Sequence, residues 1–442
     1  MIFFRTIGWL AFSLASGLSG AHAQSLVQFF EQASAHDSAF ASAKAQHQAD
    51  TFYREIGAAG LRPSISVSGS LSAAEYQRQD LGATTTRSYD YRPESWSVQI
   101  TQPIYSAERL ANAAEGELRA LRAAVVLKAA QQDLALRVAH AWLNFLLDLD
   151  QTTLAQAQLQ SYLAQKDQAQ RLRDAGIATR TDVEETASRA QIASADLAAS
   201  QASLSVRRRE FERVVGAPPP NALHPDALRF NLAALSSNMD VDEWVAVARV
   251  RSVVVMAQQL ALEIAKTQHK KARAGFMPSL SVIASHQSSR SGNYFTASEA
   301  TGQIALQLNM SLYDGGGTTA QARQAVALIA KAGSDVTAAQ EDSAIKAADA
   351  ALNVQASFER VAALENAIGA ATVTLQGMEA GQKAGLRTNS DVLNAKQQLY
   401  AVRRDLARER YTLMSRNLEL RLLAGQDITD AVAMTERAVY RP

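Results

Sequence analysis

The residue types that carry out covalent chemistry occur in this sequence, but their spacing builds no reactive site. The seven histidines form no i, i+4 pair in a metal-binding context, and the whole chain lacks cysteine. Residues 314–318 (DGGGT) resemble a phosphate-binding loop, yet they lack the Lys-Ser/Thr pair that completes one. No Ser/His/Asp set or carboxylate pair can be assembled at a meaningful spacing. We therefore expect no enzyme activity, no metal site and no cofactor.

A different set of polar residues recurs in two turn segments. Gly176 is followed by Thr181 and Asp182, and Gly385 is followed by Asp391; the two glycines and the two aspartates are each 209 positions apart. We expect each glycine to take the left-handed conformation that ends a helix, and Thr181 to cap the next helix. The simplest role for each aspartate is to stabilise a helix N-terminus, by ~0.3–1 kcal/mol. So long a period indicates a duplicated half-molecule.

The helices that position these turns are predicted to be far longer than usual. Residues 107–174 and 318–384 contain no proline, and ~67 helical residues make a rod of roughly 100 Å. Small side chains at helical spacing favour close helix–helix packing. In the second copy Ser390 is the N-cap candidate, and the return helices are expected to run to Gly216 and Gly425.

Ahead of each long helix, the sequence carries two segments that alternate between apolar and small polar residues. These segments are residues 64–71, 95–100, 280–284 and 303–312. We expect an Ala/Gln-rich helix at 25–60, which Pro63 terminates, and a polar loop at 74–92 between the first two strands. The pattern predicts four strands per chain, each of about 8–11 residues, which is the length of a transmembrane β-strand.

The first 23 residues predict a signal peptide. Arg5 supplies the positive charge, residues 7–18 form a short apolar core, and residues 21–23 (AHA) fit a cleavage signal. The apolar run is too short to span a bilayer well as a helix. No cysteine follows the cleavage site, which disfavours a lipoprotein. We therefore expect export across an inner membrane.

The amino-acid composition narrows the class of protein further. The formal net charge is +1, which favours neither nucleic acid nor an anionic membrane surface as a partner. Aromatic residues make up only 6% of the chain, so we expect no large aromatic core. No segment after the signal peptide has 18 consecutive apolar residues, and we expect no transmembrane helix.

These patterns divide the chain into five parts. Residues 1–23 are the signal peptide, and residues 24–217 form a first structural repeat with a helix, a β-hairpin and a long helical hairpin. A linker at 218–233 leads to a second structural repeat at 234–425. Residues 426–442 form a C-terminal tail.

Four strands cannot close a barrel, and an open sheet edge in lipid leaves backbone groups unpaired at a cost of several kcal/mol each. The chain must therefore pair with copies of itself. Three copies give 12 strands, whereas two give 8, a barrel normally filled by its own side chains. Small polar side chains on one strand face suit a water-filled lumen.

The chain resembles the TolC-type outer-membrane channels of the outer-membrane efflux protein family. The resemblance is carried by the two G-x-x-T-x-x-D-V turns and by the strand-to-helix junctions, where the matching residues are Pro103, Tyr105, Tyr313, Gly315 and Gly316. It implies a mainly α fold with a membrane β-barrel: a homotrimer with a 12-stranded outer-membrane barrel, continued by a long periplasmic α-helical barrel. It also implies a Gram-negative outer membrane as location, with contact to its lipid. The implied partners are a periplasmic adaptor and an inner-membrane ABC or proton-driven transporter.

The same resemblance implies where such a channel is gated. The second-repeat hairpin closes the periplasmic entrance, and Asp391 matches the first aperture carboxylate. Asn394 stands where a second aspartate is expected, which implies three aperture carboxylates per trimer instead of six. Arg387 matches a latch arginine whose partners are Asp182 and Thr181. Gln382 stands where a latch tyrosine is expected.

Three functions are compatible with the sequence. The favoured one is an exit duct for type I protein secretion, and the alternative within the same class is a channel for multidrug or small-molecule efflux. A periplasmic coiled-coil adaptor is a more distant alternative, which the alternating strands argue against.

Overall fold

The structure, a computed structural model of the chain, describes residues 25–79, 81–82, 84–220, 229–236, 240–290 and 298–440. The predicted signal peptide at 1–23 lies outside the described residues, as do residues 221–228 of the predicted linker.

Both halves follow the predicted plan of helix, strands, long helix, tight turn and return helix. The first half contains α1 (Leu26–His36), α2 (Ser38–Ala59), β1 (Ser64–Leu71), β2 (Ala74–Arg78), β3 (Arg87–Tyr91), β4 (Glu94–Ser106), α3 (Ala107–Asp174) and α4 (Arg180–Val215). The second contains β5 (Arg229–Phe230), a 3₁₀ turn (Leu232–Leu235), α5 (Val241–Arg251), α6 (Val253–Ala274), β6 (Ser279–Arg290), β7 (Ser298–Asn309), α7 (Gly317–Lys383), α8 (Asn389–Leu423), α9 (Ile428–Ala438) and β8 (Val439–Tyr440).

The prediction of a single helix at 25–60 is wrong, because Asp37 divides it into α1 and α2. The Asp37 carboxylate accepts a hydrogen bond from the Phe40 N–H at 2.7 Å and so caps α2. It also pairs with Arg137 of α3, 2.5 Å away. The hydrogen bond from Arg137 holds the pKa of Asp37 below its ordinary value. The break therefore turns the chain and ties the turn to the long helix.

The second half has a matching break at Ser252. Within the described ranges, the stretch Val241–Ala274 has the length and the apolar composition of a helix that could cross a membrane. The sequence predicts no such helix. Ser252 divides it into α5 and α6, and α6 packs side by side with α3 and α7. α6 therefore belongs to the helical layer that continues the sheet.

The four predicted main strands form one antiparallel sheet in the order β1-β4-β6-β7. Apolar residues face each other across neighbouring strands on one side, as in Val67 opposite Val98 and Val282 opposite Leu306. On the other side small polar residues meet, and the hydroxyls of Ser68 and Ser97 lie 2.8 Å apart. Strands β1 and β7 are the two edges of the sheet. The alternation predicted from the sequence is confirmed.

Two details of the strands differ from the prediction. The expected loop at 74–92 contains a second antiparallel pair, β2 and β3, in which Ala74 lies opposite Tyr91. The last main strand ends at Asn309, so Met310 and Leu312 lie beyond it. Local alternation continues past Asn309, but the partner strand β6 begins at Ser279, directly opposite Asn309, and offers no further partner.

The helices that lead into and out of the sheet lie in the same order as the strands. Neighbouring pairs are α2 with α3, α3 with α6, and α6 with α7. The long helices α3 and α7 contain 68 and 67 residues, as predicted, and fold back as α4 and α8. One layer of helices therefore extends the four-stranded sheet.

The main apolar core joins α1, α3, α4, α8 and α9. Although aromatic residues are scarce, three of them meet here: the ring of Phe29 lies 4.9 Å from Trp142 and 5.0 Å from Phe211, centre to centre. The predicted C-terminal tail contributes α9, whose Ala431 and Val432 are buried. Strands β5 and β8 pair, which joins the predicted linker to the tail.

Candidate gate at the tips of the helical hairpins

Each long helix ends in a left-handed glycine, as predicted. Gly176 has a φ of 77° and Gly385 a φ of 74°. The chain reverses within one turn, and the N–H of Leu386 donates to the carbonyl of Gly381 at 2.8 Å. Both conformations are cheap only for glycine. The two tips therefore have the same backbone geometry.

The residues that cap the return helices differ from the predicted ones. Thr179 and Thr388 are the N-caps, whereas Thr181 and Ser390 lie inside the first helical turn. In the second tip the Asp391 N–H donates to the Thr388 hydroxyl at 3.2 Å, and the Thr388 N–H donates to the Asp391 carboxylate at 2.9 Å. Each tip is thus a reciprocal capping box, with the aspartate three residues after the cap.

The capping box also determines the charge at the second tip. The bond from the Thr388 backbone N–H, the Thr388 hydroxyl and the nearby positive charge of Arg387 hold the pKa of Asp391 below its ordinary value of 3.8. Asp391 is therefore ionised at neutral pH.

The predicted latch residues are not joined within one chain. Arg387 lies exposed in the second tip. Among the described residues of one chain, it forms no ion pair or side-chain hydrogen bond with Asp182 or Thr181. Gln382, at the expected tyrosine position, donates to the Asn389 amide oxygen at 3.3 Å.

Other side chains join the two hairpins directly, and these contacts are not predicted from the sequence. Arg189 of α4 donates to the Gln397 amide oxygen at 2.5 Å and to that of Asn394 at 3.1 Å. The Ser390 hydroxyl donates to the Glu185 carboxylate at 3.0 Å. Asn394 therefore contacts the first-repeat hairpin.

A buried lysine lies at the centre of a second connection. Lys396 of α8 is only 9% exposed, and its Nζ lies 3.1 Å from the Gln165 Oε1 of α3 and 3.6 Å from the Glu379 Oε1 of α7. Gln165 donates in turn to Asn389 at 3.1 Å. The sequence contains a signal for this node, because Lys396 is three residues from both Leu393 and Leu399, on the buried stripe of α8.

Apolar contact between the hairpins near this node is small. Tyr162 of α3 and Ala190 and Ala193 of α4 pack against Leu393 of α8. Burial raises the pKa of Tyr162. Because this cluster is far smaller than the main core, the tips can separate at a lower cost than the rest of the helices.

At the other end of the long helices, the strand-to-helix junctions take two different forms. In the first, the pairing of β4 with β6 shifts between Pro103 and Tyr105, which is a β-bulge. In the second, Gly315 and Gly316 have φ values of 71° and 89°. Tyr313, just before them, is 86% exposed.

The DGGGT segment at this second junction is a helix cap. The Asp314 carboxylate accepts hydrogen bonds from the hydroxyl and the N–H of Thr318, at 2.5 and 2.7 Å, which hold the pKa of Asp314 below its ordinary value. This bonding occupies the groups that a phosphate would need. Over the part of the chain that the structure describes, no group of three or more His, Asp or Glu side chains could hold a metal ion.

Comparison with known proteins gives a consistent result over nearly the whole chain. A family model described as outer membrane efflux protein matches residues 29–217 and 244–426. The alkaline protease secretion protein AprF of Pseudomonas aeruginosa is 30% identical over 92% of this chain and 85% of its own. The proteases secretion protein PrtF of Dickeya chrysanthemi is 28% identical over 95% of this chain and 94% of its own. Outer membrane protein TolC of Escherichia coli is 25% identical over 78% of this chain and 73% of its own.

Solved structures share the fold. A structure of CusC aligns with a TM-score of 0.77 at 18% identity, over 91% of this chain and 92% of its own. The outer membrane protein VceC of Vibrio cholerae aligns with a TM-score of 0.75 at 18% identity, over 91% of this chain and 96% of its own. At these identities, the likeness concerns the fold alone.

Proposed function

Because the chain belongs to the outer membrane efflux protein family, we propose that it is the outer-membrane exit duct of a tripartite export system. Three copies form a 12-stranded barrel in the outer membrane of a Gram-negative bacterium. Their helices continue the barrel as a tube through the periplasm. A periplasmic adaptor and an inner-membrane transporter, driven by ATP or by protons, deliver cargo to its entrance.

The observation that carries this proposal is the sheet with two open edges. Strands β1 and β7 have no outer neighbour within the described chain, and the apolar side chains of β7 are exposed, with Ile304 at 81% and Leu306 at 67%. In water such a face would promote aggregation, and in lipid the open edges would leave backbone groups unpaired. Lipid covers the apolar face, and pairing β7 of one copy with β1 of the next satisfies the backbone groups of the open edges.

We propose protein as the cargo, in type I secretion. AprF and PrtF, which align along most of this chain, are named as protease secretion proteins. Small-molecule efflux is the second candidate, since the outer membrane efflux protein BepC of Brucella suis is 27% identical over 61% of this chain. Expression in Pseudomonas aeruginosa that lacks both AprF and its own drug-efflux outer-membrane channels distinguishes the two, because secretion of alkaline protease to the medium supports protein cargo. Restored drug resistance without secretion supports efflux.

We propose that Asp391 and Asn394 line the periplasmic aperture, and that Arg387 binds Asp182 and Thr181 of a neighbouring subunit. Two observations support this proposal. Asp391 lies at the hairpin tip with a lowered pKa, so it carries charge at the entrance. Arg387 is exposed at the same tip, where another subunit can reach it.

A planar-bilayer experiment tests the duct and its aperture together. The detergent-extracted protein is expected to run as a trimer and to form ion channels that divalent cations block from the periplasmic side. Asp391→Ala should weaken this block at least tenfold, because it removes the aperture carboxylates. Glu184→Ala is the control, since it removes an exposed carboxylate of the other tip that lies outside the proposed latch, and it should leave the block in place.

A water-soluble monomer without channel activity would exclude the duct. Channels whose divalent block is the same in the Asp391→Ala variant and in the wild type would place the charged ring elsewhere.

A further inference from the structure

Helix α6 carries a stripe of exposed residues at the end that leads into the sheet. The stripe includes Lys266, Lys270 and Arg273, and it is followed by Phe276 and Met277, which are 42% and 46% exposed. Its steps of three and four residues place the three cations on one face of the helix. Since α6 lies between α3 and α7 in the same chain, this face lies outside both of those helix contacts.

The opposite face of the helical layer carries a groove of about 350 Å³. Side chains of α2, the intervening α3 and α6 line it together, including Tyr53, Arg122 and Gln268. Side chains of two helices can meet over a third only on the inner side of a curved layer. Gln268 is two residues from both Lys266 and Lys270, or about 200° around the helix. In a closed tube the groove therefore faces the lumen, and the cationic stripe faces outward.

The stripe lies at the level of the membrane surface. Tyr105 is opposite Leu280 in the sheet and is 44% exposed, and tyrosine at this position is typical of a membrane interface. Arg273 precedes Ser279, the first residue of β6, by only six residues, and Lys270 is roughly one further helical turn away. Phe276 and Met277 lie between these cations and the strand.

The two cations of the stripe that lie nearest the sheet, Lys270 and Arg273, are not neutralised. Lys266 is paired with Glu263 at 2.7 Å. Lys270 and Arg273 form no ion pair with any residue that the structure describes. Glu117, on the same outer face of α3, is paired with Arg54, 3.8 Å away. The positive charge near the membrane is therefore available, although the formal net charge of the whole chain is only +1.

We propose that Lys270 and Arg273, with Phe276 and Met277 beside them, bind the anionic headgroups of phospholipids in the periplasmic leaflet of the outer membrane. The apolar pair enters the boundary of the acyl chains, and the two cations reach the phosphates. This inference rests on the proposed outer-membrane location. Three subunits would place six such cations around the tube.

Spin-labelled lipids test this proposal on the full-length trimer. The protein is reconstituted in phosphatidylcholine vesicles that contain a trace of spin-labelled phosphatidylglycerol or phosphatidylcholine. The motionally restricted fraction then measures the preference for each lipid. We expect the wild type to prefer phosphatidylglycerol and to lose this preference at about 1 M salt, where the Debye length is about 3 Å. The Lys270→Gln/Arg273→Gln double variant should lose about fivefold in preference per charge removed.

Arg404→Gln is the matched control. Arg404 is an exposed residue of α8, roughly 75 Å from the sheet by helical rise, and its loss should leave the lipid preference unchanged. Arg273 also stabilises the C-terminus of α6, but that effect does not depend on the headgroup, so lipid preference separates the two roles.

Three outcomes would overturn the proposal: no preference in the wild type, a preference that high salt does not weaken, or a preference that the double variant retains. If the double variant fails to assemble, the Lys270→Gln and Arg273→Gln single variants decide the question, because each should lose about fivefold in preference. Channel activity is measured on the same vesicles. Channels without lipid preference refute this inference alone, whereas the absence of channels refutes the proposed duct.

Discussion

At the scale of single residues, Lys396 is the clearest candidate for holding the gate closed. Its ammonium group joins Gln165 of the first hairpin to Glu379 of the second, and it is almost fully buried. A hydrogen bond to a charged group contributes roughly 1.5–3 kcal/mol. If the second hairpin moves away from the first on opening, Lys396→Met should shift the balance toward the open state by about tenfold or more, with a higher mean conductance in planar bilayers.

The control for this prediction is Lys383→Met. Lys383 ends α7 near the same tip and is exposed, so its loss removes an equal charge from the entrance without breaking a buried contact. Equal conductance in the Lys396→Met variant, the Lys383→Met variant and the wild type would show that Lys396 only packs α8 and does not restrain the hairpins.

At the scale of elements, the helix ends depend on left-handed glycines in two different settings. Gly176 has a φ of 77° and no neighbouring atom within 4 Å of where a Cβ would be placed. Gly216 has a φ of 83°, and its Cβ would lie 2.4 Å from the Cγ of His36. Gly176→Ala should therefore cost only the backbone strain, roughly 1–2 kcal/mol, whereas Gly216→Ala must also displace the His36 side chain of α1.

Thermal unfolding of the detergent-solubilised protein compares the two glycines. We expect the Gly216→Ala variant to unfold several degrees below the Gly176→Ala variant, because α1 contributes Phe29 to the main core. Equal midpoints would mean that His36 moves aside at no cost, and that α1 is not held against the end of α4.

At the scale of the whole molecule, the two faces of the sheet decide how the chain is placed in a membrane. Ile304 lies on the apolar face opposite Ala284, near the middle of β7, and Gln303 lies on the polar face opposite Ser285. Arginine on the lipid face of a barrel costs about 2–4 kcal/mol near the bilayer midplane. Ile304→Arg should therefore lower the yield of folded trimer in the outer membrane, measured by heat-modifiable migration on gels.

Gln303→Arg is the adjacent control, since it adds the same charge to the lumen face and should assemble as the wild type does. Its effect should appear instead as a change in the ion selectivity of the channel. If both variants assembled equally well, the apolar face would not be the lipid face.

Much of this architecture follows from local patterns in the sequence. Alternation predicts the four main strands, and the absence of proline predicts α3 and α7 nearly to the residue. The left-handed conformations of Gly176 and Gly385 are predicted as well. The errors in the helix caps occur where two nearby residues can both act as the N-cap. Thr179 caps α4 instead of Thr181, because only Thr179 lies three residues before Asp182 and can complete the reciprocal capping box.

The sequence by itself determined the fold class, the duplication and the need for copies, because these depend on periodicity and on the hydrogen bonding that every backbone requires. Only the tertiary structure showed the break at Asp37, the node at Lys396 and the outward cations of α6. Each of these involves residues that are far apart in the sequence: Asp37 and Arg137 are 100 residues apart, and Gln165 and Lys396 are 231 residues apart. A pattern of neighbouring residues does not show which distant residues meet. The order of the helices in the folded layer brings the side chains of Gln165 and Lys396 into contact.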